Sequence, residues 1–481
     1  MGEEARTVKT AGEKIKAAGT GKNQDRTELF ERAPIPRAMA VMSIPMIISQ
    51  LITLIYNMAD TFFLGLTNDP YKVAASSLVL TLYLFTAGIA NLFGAGGGSL
   101  LSRLLGAKEE EEARKVSSAS LAWAAMATAA YSVLCFLFRN QILRFLGASD
   151  NTIGFARDYM LWVLVIGGIP TVLSMTMANL IRSIGNAKEA GFGLTMGGLL
   201  NLALDPLFMF VILPDGQQVK GAAIATMLSN TVAAAYFIRK ILAMGKDAVI
   251  TFRQDLGRPR KDSVASIFSV GIPAAVSLWL FDLSNMVLNM RAAGHGDIAL
   301  AAVGIVLKVE RLPLNIGIGI CIGMVPLIGY NYAAKNFERL DGIFAFGRAA
   351  GLIVALISVA MYRVFAPQII RAFIEDPETV RIGTSILSAR CFATPLMFLC
   401  FSMVHFFQAI GKGRYALILA CVRQLVFIIP LLIILDTLFG MEGIVWTQFA
   451  GDLCTVIVTY LVYWKVYKKG LRLQQAGGYT D

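Results

Sequence analysis

Twelve apolar runs, each long enough to cross a bilayer, limit how this chain can fold more than any other feature. A helix needs roughly 20 apolar residues to span the hydrocarbon, and charged residues make up only 16% of the 481 positions. Soluble domains carry about 25%. We therefore predict an all-α polytopic membrane protein with 12 transmembrane helices. The predicted spans cover residues 39–66, 73–100, 117–138, 157–179, 189–212, 220–242, 264–290, 298–328, 344–366, 382–409, 415–437 and 442–467.

The basic residues indicate the topology. The net charge is +11, and most Lys and Arg lie in the N-terminal tail, in the loops after even-numbered spans and in the C-terminal tail. This asymmetry follows the positive-inside rule and predicts a plasma-membrane protein with both termini in the cytoplasm. It also explains the positive charge without a nucleic-acid partner. The first 38 residues contain no apolar segment, so we predict a loose cytoplasmic tail and not a secretory signal.

The sequence repeats itself at an offset of roughly 226 residues. The stretch that opens the first half aligns with the one that opens the second half, so that Pro45 falls over Pro273 and Asn57 over Asn285. Parallel repeats of this kind are typical of transporters. We predict two pseudo-symmetric six-helix lobes, with the boundaries 1–38 (tail), 39–242 (N-lobe), 243–263 (cytoplasmic linker), 264–467 (C-lobe) and 468–481 (tail).

Two carboxylates interrupt apolar runs of the first half. Asp60 lies in "YNMADTFFLG" and Asp205 in "NLALDPLF". A charged carboxylate at mid-membrane costs about 3 kcal/mol on insertion scales, and binding a proton or a cation lowers that cost. Structural hydrogen bonding between helices is the alternative explanation for each acid.

Neighbouring polar residues extend this pair into an oxygen-rich cluster. Tyr56 precedes Asp60 by four residues and Asn201 precedes Asp205 by four, so each couple shares a helical face, and Thr226 adds a hydroxyl from the sixth span. If the first and fifth spans are neighbours, the cluster suits H⁺ or Na⁺, with Asp60, Asn201, Asp205 and Thr226 as the ligands of Na⁺. Pro45 removes a backbone hydrogen bond and gives the first helix a place to bend.

The second half lacks both acids and carries other charges within its spans. Two readings stay open for them: a satisfied network of ion pairs, or the lining of a substrate cavity. In the first reading Glu310 pairs with its neighbours Lys308 and Arg311, or these pair with Asp282. The residues concerned are Asp282, Lys308, Glu310, Arg311, Arg390 and Arg423.

Enzymatic chemistry has little support in the sequence. Only His295 and His405 are available as histidines, no zinc-protease or nucleophile-elbow motif occurs, and the glycine run at 94–98 does not follow a strand or end in Gly-Lys-Ser/Thr. With no nucleotide site, uphill transport would depend on an ion gradient. No organic cofactor is expected.

Three motifs resemble the multidrug and toxic compound extrusion (MATE) transporters. They are "NMADTFFLG" (57–65), "GGLLNLALDPLF" (197–208) and "PLIGYNYAAKNFER" (326–339). The resemblance implies a monomeric antiporter that exports cationic, amphipathic drugs while H⁺ or Na⁺ flows inward. In the bacterial branch with an N-lobe site it implies a coupling site at Asp60, Asn201, Asp205 and Thr226, with Tyr56 and Asn179 nearby and a bend at Pro45.

A flippase for lipid-linked oligosaccharides is the rival prediction, because that class shares the general architecture. Such a protein should present a strongly cationic central cavity to a pyrophosphate. Lys308, Arg311, Arg390 and Arg423 are the residues that would form it. A receptor or scaffold without transport activity is a further alternative.

Overall fold

The computed structural model describes residues 28–67, 69–245 and 248–469, and the secondary structure in these ranges is helical. Within these described ranges, ten long helices and two bent helix pairs, each pair taken as one span, give twelve spans, which confirms the predicted fold class. We number them α1 to α12. Their bounds are Ile35–Gly65, Pro70–Gly106, Glu110–Leu137, Ile153–Ile166 with Gly168–Ser183, Ala187–Ile212, Gln218–Ala243, Lys261–Ala293, Asp297–Ala333, Phe337–Arg371, Pro377–Arg390 with Ala393–Ala409, Gly413–Phe439 and Met441–Lys468.

Spans α4 and α10 are bent where the sequence predicted continuous helices. The two halves of α4 meet at 47° next to Gly167, and the two halves of α10 meet at 50° at residues 391–392. A short helix, Arg139–Phe145, also follows α3. The apolar runs continue through both bends, so hydropathy alone carries no signal for them.

The described part of the predicted tail is packed, not loose. Helix α1 begins at Ile35, and Glu28–Arg32 forms a helical turn before it in which Phe30 is fully buried. The segment before α7 is likewise docked, with Val249 and Ile250 buried. Residues 1–27 and 470–481 of the predicted tails, and 246–247 of the predicted linker, lie outside the described residues.

The two halves share unusual backbone geometry at equivalent turns. Lys108 and Lys335 follow the second helix of each half, and both adopt a positive φ, of 61° and 59°. Gly185 and Gly411 do the same after the fourth helix of each half, with φ of 94° and 77°. Because non-glycine residues seldom take positive φ, the paired lysines show that the same unusual turn occurs at equivalent positions of both halves.

The helices of the two halves cross in a symmetric way. Helix α1 packs on α8, and α2 packs on α7. If α7 and α8 are the counterparts of α1 and α2, a twofold axis between the halves exchanges these two contacts. Both lie at the end of the bundle where α1 begins and α12 ends, which we call the terminal face.

In the part of the chain that the structure describes, three hydrophobic cores show that the halves are joined near one end. The largest core combines residues of both halves near the terminal face, among them Met42, Leu101 and Leu327. Toward the opposite face each half has its own core, one around Leu143 and Leu164 and one around Val306 and Ile370. The molecule is therefore closed at the terminal face and divided at the opposite face.

Glycines allow the close approach of the halves. A Cβ at Gly271 of α7 would lie 2.0 Å from the carbonyl oxygen of Leu92 on α2, and one at Gly96 would lie 2.3 Å from that of Ile267. On the other side, Gly319 of α8 faces the backbone of Ile47. Small residues let transmembrane backbones touch in this way.

Trp279 of α7 contacts α2 of the other half. Its indole N–H donates to the carbonyl oxygen of Leu84 over 3.2 Å, and its ring packs on Phe85 and Gly88 of α2.

Large apolar side chains face outward on the helices, for example Val211 at 74% and Leu137 at 62% exposure. An apolar exterior of this kind is what a bilayer requires.

Gly271→Ala should destabilise the protein, because the new Cβ would collide with the Leu92 carbonyl and force α2 away from α7. Overpacking of this kind costs about 1–3 kcal/mol. We expect a lower thermal midpoint in detergent, measured by fluorescence-detected size-exclusion chromatography after heating.

Gly304→Ala on α8 is the matched control, since nothing lies within 4 Å of its Cβ position. Replacing glycine with alanine in a free helical position is favourable by roughly 0.5–1 kcal/mol. Equal midpoints for the two variants would contradict the close contact between the halves.

Candidate functional site

Helix α5 carries two different faces that position the predicted site. Gly191, Gly198 and Asp205 recur every seven residues and therefore share one face. A Cβ at Gly191 would lie 2.6 Å from the Pro45 carbonyl oxygen, and one at Gly198 would lie 2.8 Å from Ile52. This face consequently packs directly on α1 and directs Asp205 toward it.

The second face of α5 packs on α6. Gly193 lies against Phe237, Gly197 lies against Ala233, and Asn201 follows four residues later. The Asn201 side-chain N–H donates over 3.3 Å to the Thr226 hydroxyl of α6. Glycines at two helical spacings therefore explain why α1, α5 and α6 converge at Asn201 and Asp205.

The predicted acids meet at this convergence. Asp205 is fully buried and Asn201 is 2% exposed, and the Asn201 amide donates to one Asp205 carboxylate oxygen over 3.3 Å. Asp60 on α1 is half-buried and close enough to Asp205 for their charges to interact. The structure thus brings together Asp60, Asn201, Asp205 and Thr226.

Three buried oxygens of this cluster have no hydrogen-bond partner among the described residues. They are Oδ1 of Asp60, Oδ1 of Asn201 and Oδ2 of Asp205. An unpaired buried polar atom is costly, roughly 1–3 kcal/mol each. Three acceptors without donors at one place form a site that a proton or a cation would complete.

Tyrosines complete the surroundings of the acids, and most were not predicted from the sequence. Tyr56 and Tyr159 lie close enough to interact electrostatically with both acids, and Tyr83 of α2 interacts with Asp60 and with Tyr56. Asn230 of α6 also contacts Tyr83. Asn230 follows Thr226 by four residues, and that spacing was the available sequence signal.

The oxygen atoms available as ligands at this site suit a hard cation or a proton. It consists of carboxylate, amide and hydroxyl oxygens, and hard cations prefer such ligands. Among the residues that the structure describes, no group of three or more His, Cys, Asp or Glu side chains could hold a metal ion. The chemistry favours a monovalent ion or a proton over a transition metal, which prefers nitrogen and sulfur ligands.

Asn179 lies apart from the acids, unlike the prediction. Its side chain accepts from Arg182 over 2.6 Å, donates to the Met175 carbonyl and packs on Gly94 of α2. Tyr83 marks the level of the acids on α2, because it interacts with Asp60. Gly94 lies 11 residues further along α2, which is about 16 Å along the helix axis at a rise of 1.5 Å per residue. Asn179 therefore lies nearer the terminal face than the acids do. Its described hydrogen bonds are to Arg182 and Met175, and none is to Asp60 or Asp205.

Pro45 lies within a continuous α1 in this conformation. Its carbonyl oxygen faces Gly191, so the proline is close to α5 but 15 positions from Asp60. A proline inside a helix lacks one backbone hydrogen bond. The helix runs through Pro45 without a break.

In the C-lobe, Glu310 does not pair with its sequence neighbours. The Arg390 guanidinium donates to both carboxylate oxygens of Glu310, with contacts of 3.0 to 3.2 Å, and both residues are buried. Sequence reasoning expected pairing with Lys308 or Arg311 because it had no information on which helices are neighbours. Lys308 and Arg311 are exposed, and Asp282 is close enough to Arg311 to interact electrostatically.

Arg423 has a partner that the sequence analysis missed. Its Nε donates to the fully buried Asp452 over 2.7 Å, and Gln448 donates to the same carboxylate over 2.6 Å. Asp452 is a single acid in the apolar run of α12, which is the signal that identified Asp205. Both buried arginines of the C-lobe are thus neutralised by a carboxylate.

The comparisons with known proteins give a consistent result. The family model MatE matches the chain twice, over residues 45–207 and 273–434. The Multidrug export protein MepA of Staphylococcus aureus (strain MSSA476) is 33% identical over 436 residues, which is 90% of this chain and 95% of that protein. MepA of Staphylococcus saprophyticus is 33% identical over 437 residues, with the same coverage of each chain.

Solved structures share the fold. A crystal structure described as MATE in the bent conformation superposes with a TM-score of 0.85 at 24% identity, covering 94% of this chain and 99% of that one. A structure described as the outward-facing conformation of a multidrug resistance MATE family transporter gives 0.84 at 23% identity, with coverage of 90% and 96%.

Asp452→Asn should strongly destabilise the protein, because it leaves the buried Arg423 without a counter-charge. Breaking a buried ion pair from one side costs roughly 3–5 kcal/mol. The thermal midpoint in detergent should fall well below that of Glu378→Gln, which breaks an exposed pair with Arg381. A normal midpoint combined with lost transport would instead favour a role of Arg423 and Asp452 in the substrate cavity.

Proposed function

Because the chain belongs to the MatE family, we propose that it is a secondary active multidrug exporter. It would exchange cationic, amphipathic small molecules for inward-moving H⁺ or Na⁺ across the plasma membrane. Membership of the family makes the chain a multi-pass membrane transporter and not an enzyme. The coupling ion, the cationic substrates and the orientation are parts of the proposal.

The observation that carries the proposal is the set of three buried oxygens, on Asp60, Asn201 and Asp205, that have no hydrogen-bond partner in the described part of the chain. A purely structural hydrogen-bonding role would satisfy these atoms with donors from neighbouring helices. Here the Asn201 amide directs its two N–H groups to one oxygen of Asp205 and to the Thr226 hydroxyl, and the other Asp205 oxygen has no donor among the described residues. A site left short of donors is poised to bind H⁺ or Na⁺.

The proposed cycle uses the bound ion to change the shape of α1. With the acids charged, the N-lobe attracts a cationic drug. When H⁺ or Na⁺ binds the pair, its negative charge falls by one, the attraction weakens and α1 can bend at Pro45, which narrows the space beside α5. Coupling requires that ion and drug prefer different states, since a ligand with equal affinity for both shifts nothing.

The charge pattern and the closed face support the proposed orientation. If the terminal face is cytoplasmic, as the positive-inside rule predicts, the described conformation is open toward the outside. Asp60 and Asp205 lie in the half of the N-lobe that is separated from the C-lobe. An ion from outside could therefore reach the pair in this state.

The flippase alternative has less support from the described contacts. It needs a cavity with free cationic side chains for a pyrophosphate. Of the four candidates, Arg390 is paired with Glu310 and Arg423 with Asp452. Lys308 and Arg311 remain exposed, and Arg311 interacts with Asp282.

Asp60→Asn should abolish ion-driven drug transport while leaving insertion intact, because the amide cannot trade its charge for a cation. The test is drug flux in proteoliposomes under an imposed proton gradient and then under an imposed sodium gradient. We expect wild-type flux under at least one of the two gradients, and a reduction of about a hundredfold or more in Asp60→Asn.

Asp215→Asn is the control, because Asp215 is an exposed carboxylate in the loop between α5 and α6. It should transport like wild type. Full gradient-driven flux in Asp60→Asn would refute the coupling site. Absence of drug flux in the wild type under both gradients would refute the exporter itself.

A further inference from the structure

The motif at residues 326–339 is not used by the proposed coupling site, and the structure gives it a different partner. It forms the end of α8, the turn after it and the start of α9. The segment directly before α1, residues 28–33, lies in this part of the C-lobe. We call that segment the first strap.

The first strap is bound through both its aromatic ring and its backbone. Phe30 is fully buried and stacks on Tyr330 with ring centroids 4.8 Å apart, and its ring also lies against Gly185 of the N-lobe. The Tyr330 hydroxyl donates to Glu31 over 2.7 Å, and the Asn331 amide donates to the Phe30 carbonyl over 3.2 Å.

Arg339 is the main anchor of the first strap. Its guanidinium donates to the carbonyl oxygens of Leu29, Phe30 and Ala33, with contacts of 3.2, 2.7 and 2.6 Å. One side chain of the C-lobe thus satisfies three backbone acceptors in a segment that continues directly into the first N-lobe helix.

A second strap occupies the equivalent place in the other half. Residues 249–260 precede α7 and lie on α3 of the N-lobe. The Ser117 hydroxyl donates to the Val249 carbonyl over 2.8 Å. Glu112 is buried and accepts from the Arg260 backbone N–H over 2.8 Å and from the Ser263 hydroxyl over 2.5 Å. Each strap therefore belongs to one lobe and is fastened to the other.

We propose that Arg339 and Glu112 are positioning residues of the transport cycle, which set how readily the terminal face opens. This inference rests on the proposed exporter function, because alternating access requires the lobes to separate there. When they separate, each strap must detach from the lobe to which it is fastened or be pulled with it. The strength of the two anchors then sets the population of the state that is open at the terminal face.

The experiment measures that population directly on the full chain. Spin labels are placed at Lys188→Cys and Arg414→Cys, two exposed positions in the first turns of α5 and α11 on opposite lobes of the terminal face. The native cysteines are buried or half-buried, and a preparation without the two introduced cysteines gives the background labelling. Double electron–electron resonance then reports the distance distribution without drug or gradient.

Arg339→Gln should raise the ratio of long to short distances about tenfold, because hydrogen bonds from a guanidinium are among the stronger ones in proteins. Glu112→Gln should act in the same direction through the second strap. Arg339→Lys keeps the charge but not the fork of donors, so it should fall between Arg339→Gln and wild type.

Two matched variants serve as controls. Arg348→Gln lies on the same helix as Arg339, but its guanidinium packs on Phe344 and Tyr460 within the C-lobe. Glu111→Gln removes an exposed pair with Lys115 on α3. Neither should change the distance distribution.

A distribution in Arg339→Gln and Arg339→Lys that matches Arg348→Gln would overturn the proposal. If Arg339→Gln does not yield folded protein, Arg339→Lys and Glu112→Gln decide in the same way. The measurement uses no substrate, so its result does not depend on drug transport. If the variants shift the distance distribution but the wild-type protein moves no drug, the exporter function is refuted and the role of the two straps in holding the terminal face closed is retained.

Discussion

Two carboxylates enclosed among membrane-spanning helices are the constraint on which the rest of this structure depends. Neither Asp60 nor Asp205 has a basic partner among the described hydrogen bonds and ion pairs, whereas the described buried acids of the C-lobe, Glu310, Asp436 and Asp452, each have an arginine. Burial of an unpaired charge is costly, so the N-lobe pair gains most from a bound proton or cation. The glycines of α5 serve this arrangement by bringing α1 and α6 close enough to share one site.

Helix α1 connects that site to the contact between the lobes. Toward its beginning, Ser43 and Ile47 touch Gly323 and Gly319 of α8, and toward its end lie Tyr56 and Asp60. Pro45 lies in the part that packs on both α5 and α8. A change of charge at Asp60 can therefore reach the interface through one continuous element, without a longer chain of contacts. The first strap extends the same helix onto the C-lobe.

The sequence predicted what depends on composition and spacing. Long apolar runs predicted twelve spans, and the lone acids Asp60 and Asp205, each with a polar residue four positions earlier, predicted a shared site on the condition that α1 and α5 are neighbours. Contacts between distant helices were not available to this reasoning. Glu310 was assigned to neighbours in sequence although Arg390 lies opposite it, and Asn179 was placed near the acids although its side chain is bound to Arg182. Residues 28–33 looked like a loose tail because their binding partner, Arg339, is some 300 positions away.

The central claim is that a cationic drug and the coupling ion exclude one another at the acid pair, and equilibrium binding tests it most directly. The affinity of the purified wild-type protein for a fluorescent cationic drug is measured by anisotropy while pH is lowered at fixed sodium, and then while sodium is raised at fixed pH. The account predicts that at least one of these ions weakens drug binding, with reciprocal weakening of ion binding by the drug. Drug affinity that is unchanged by both ions would contradict it.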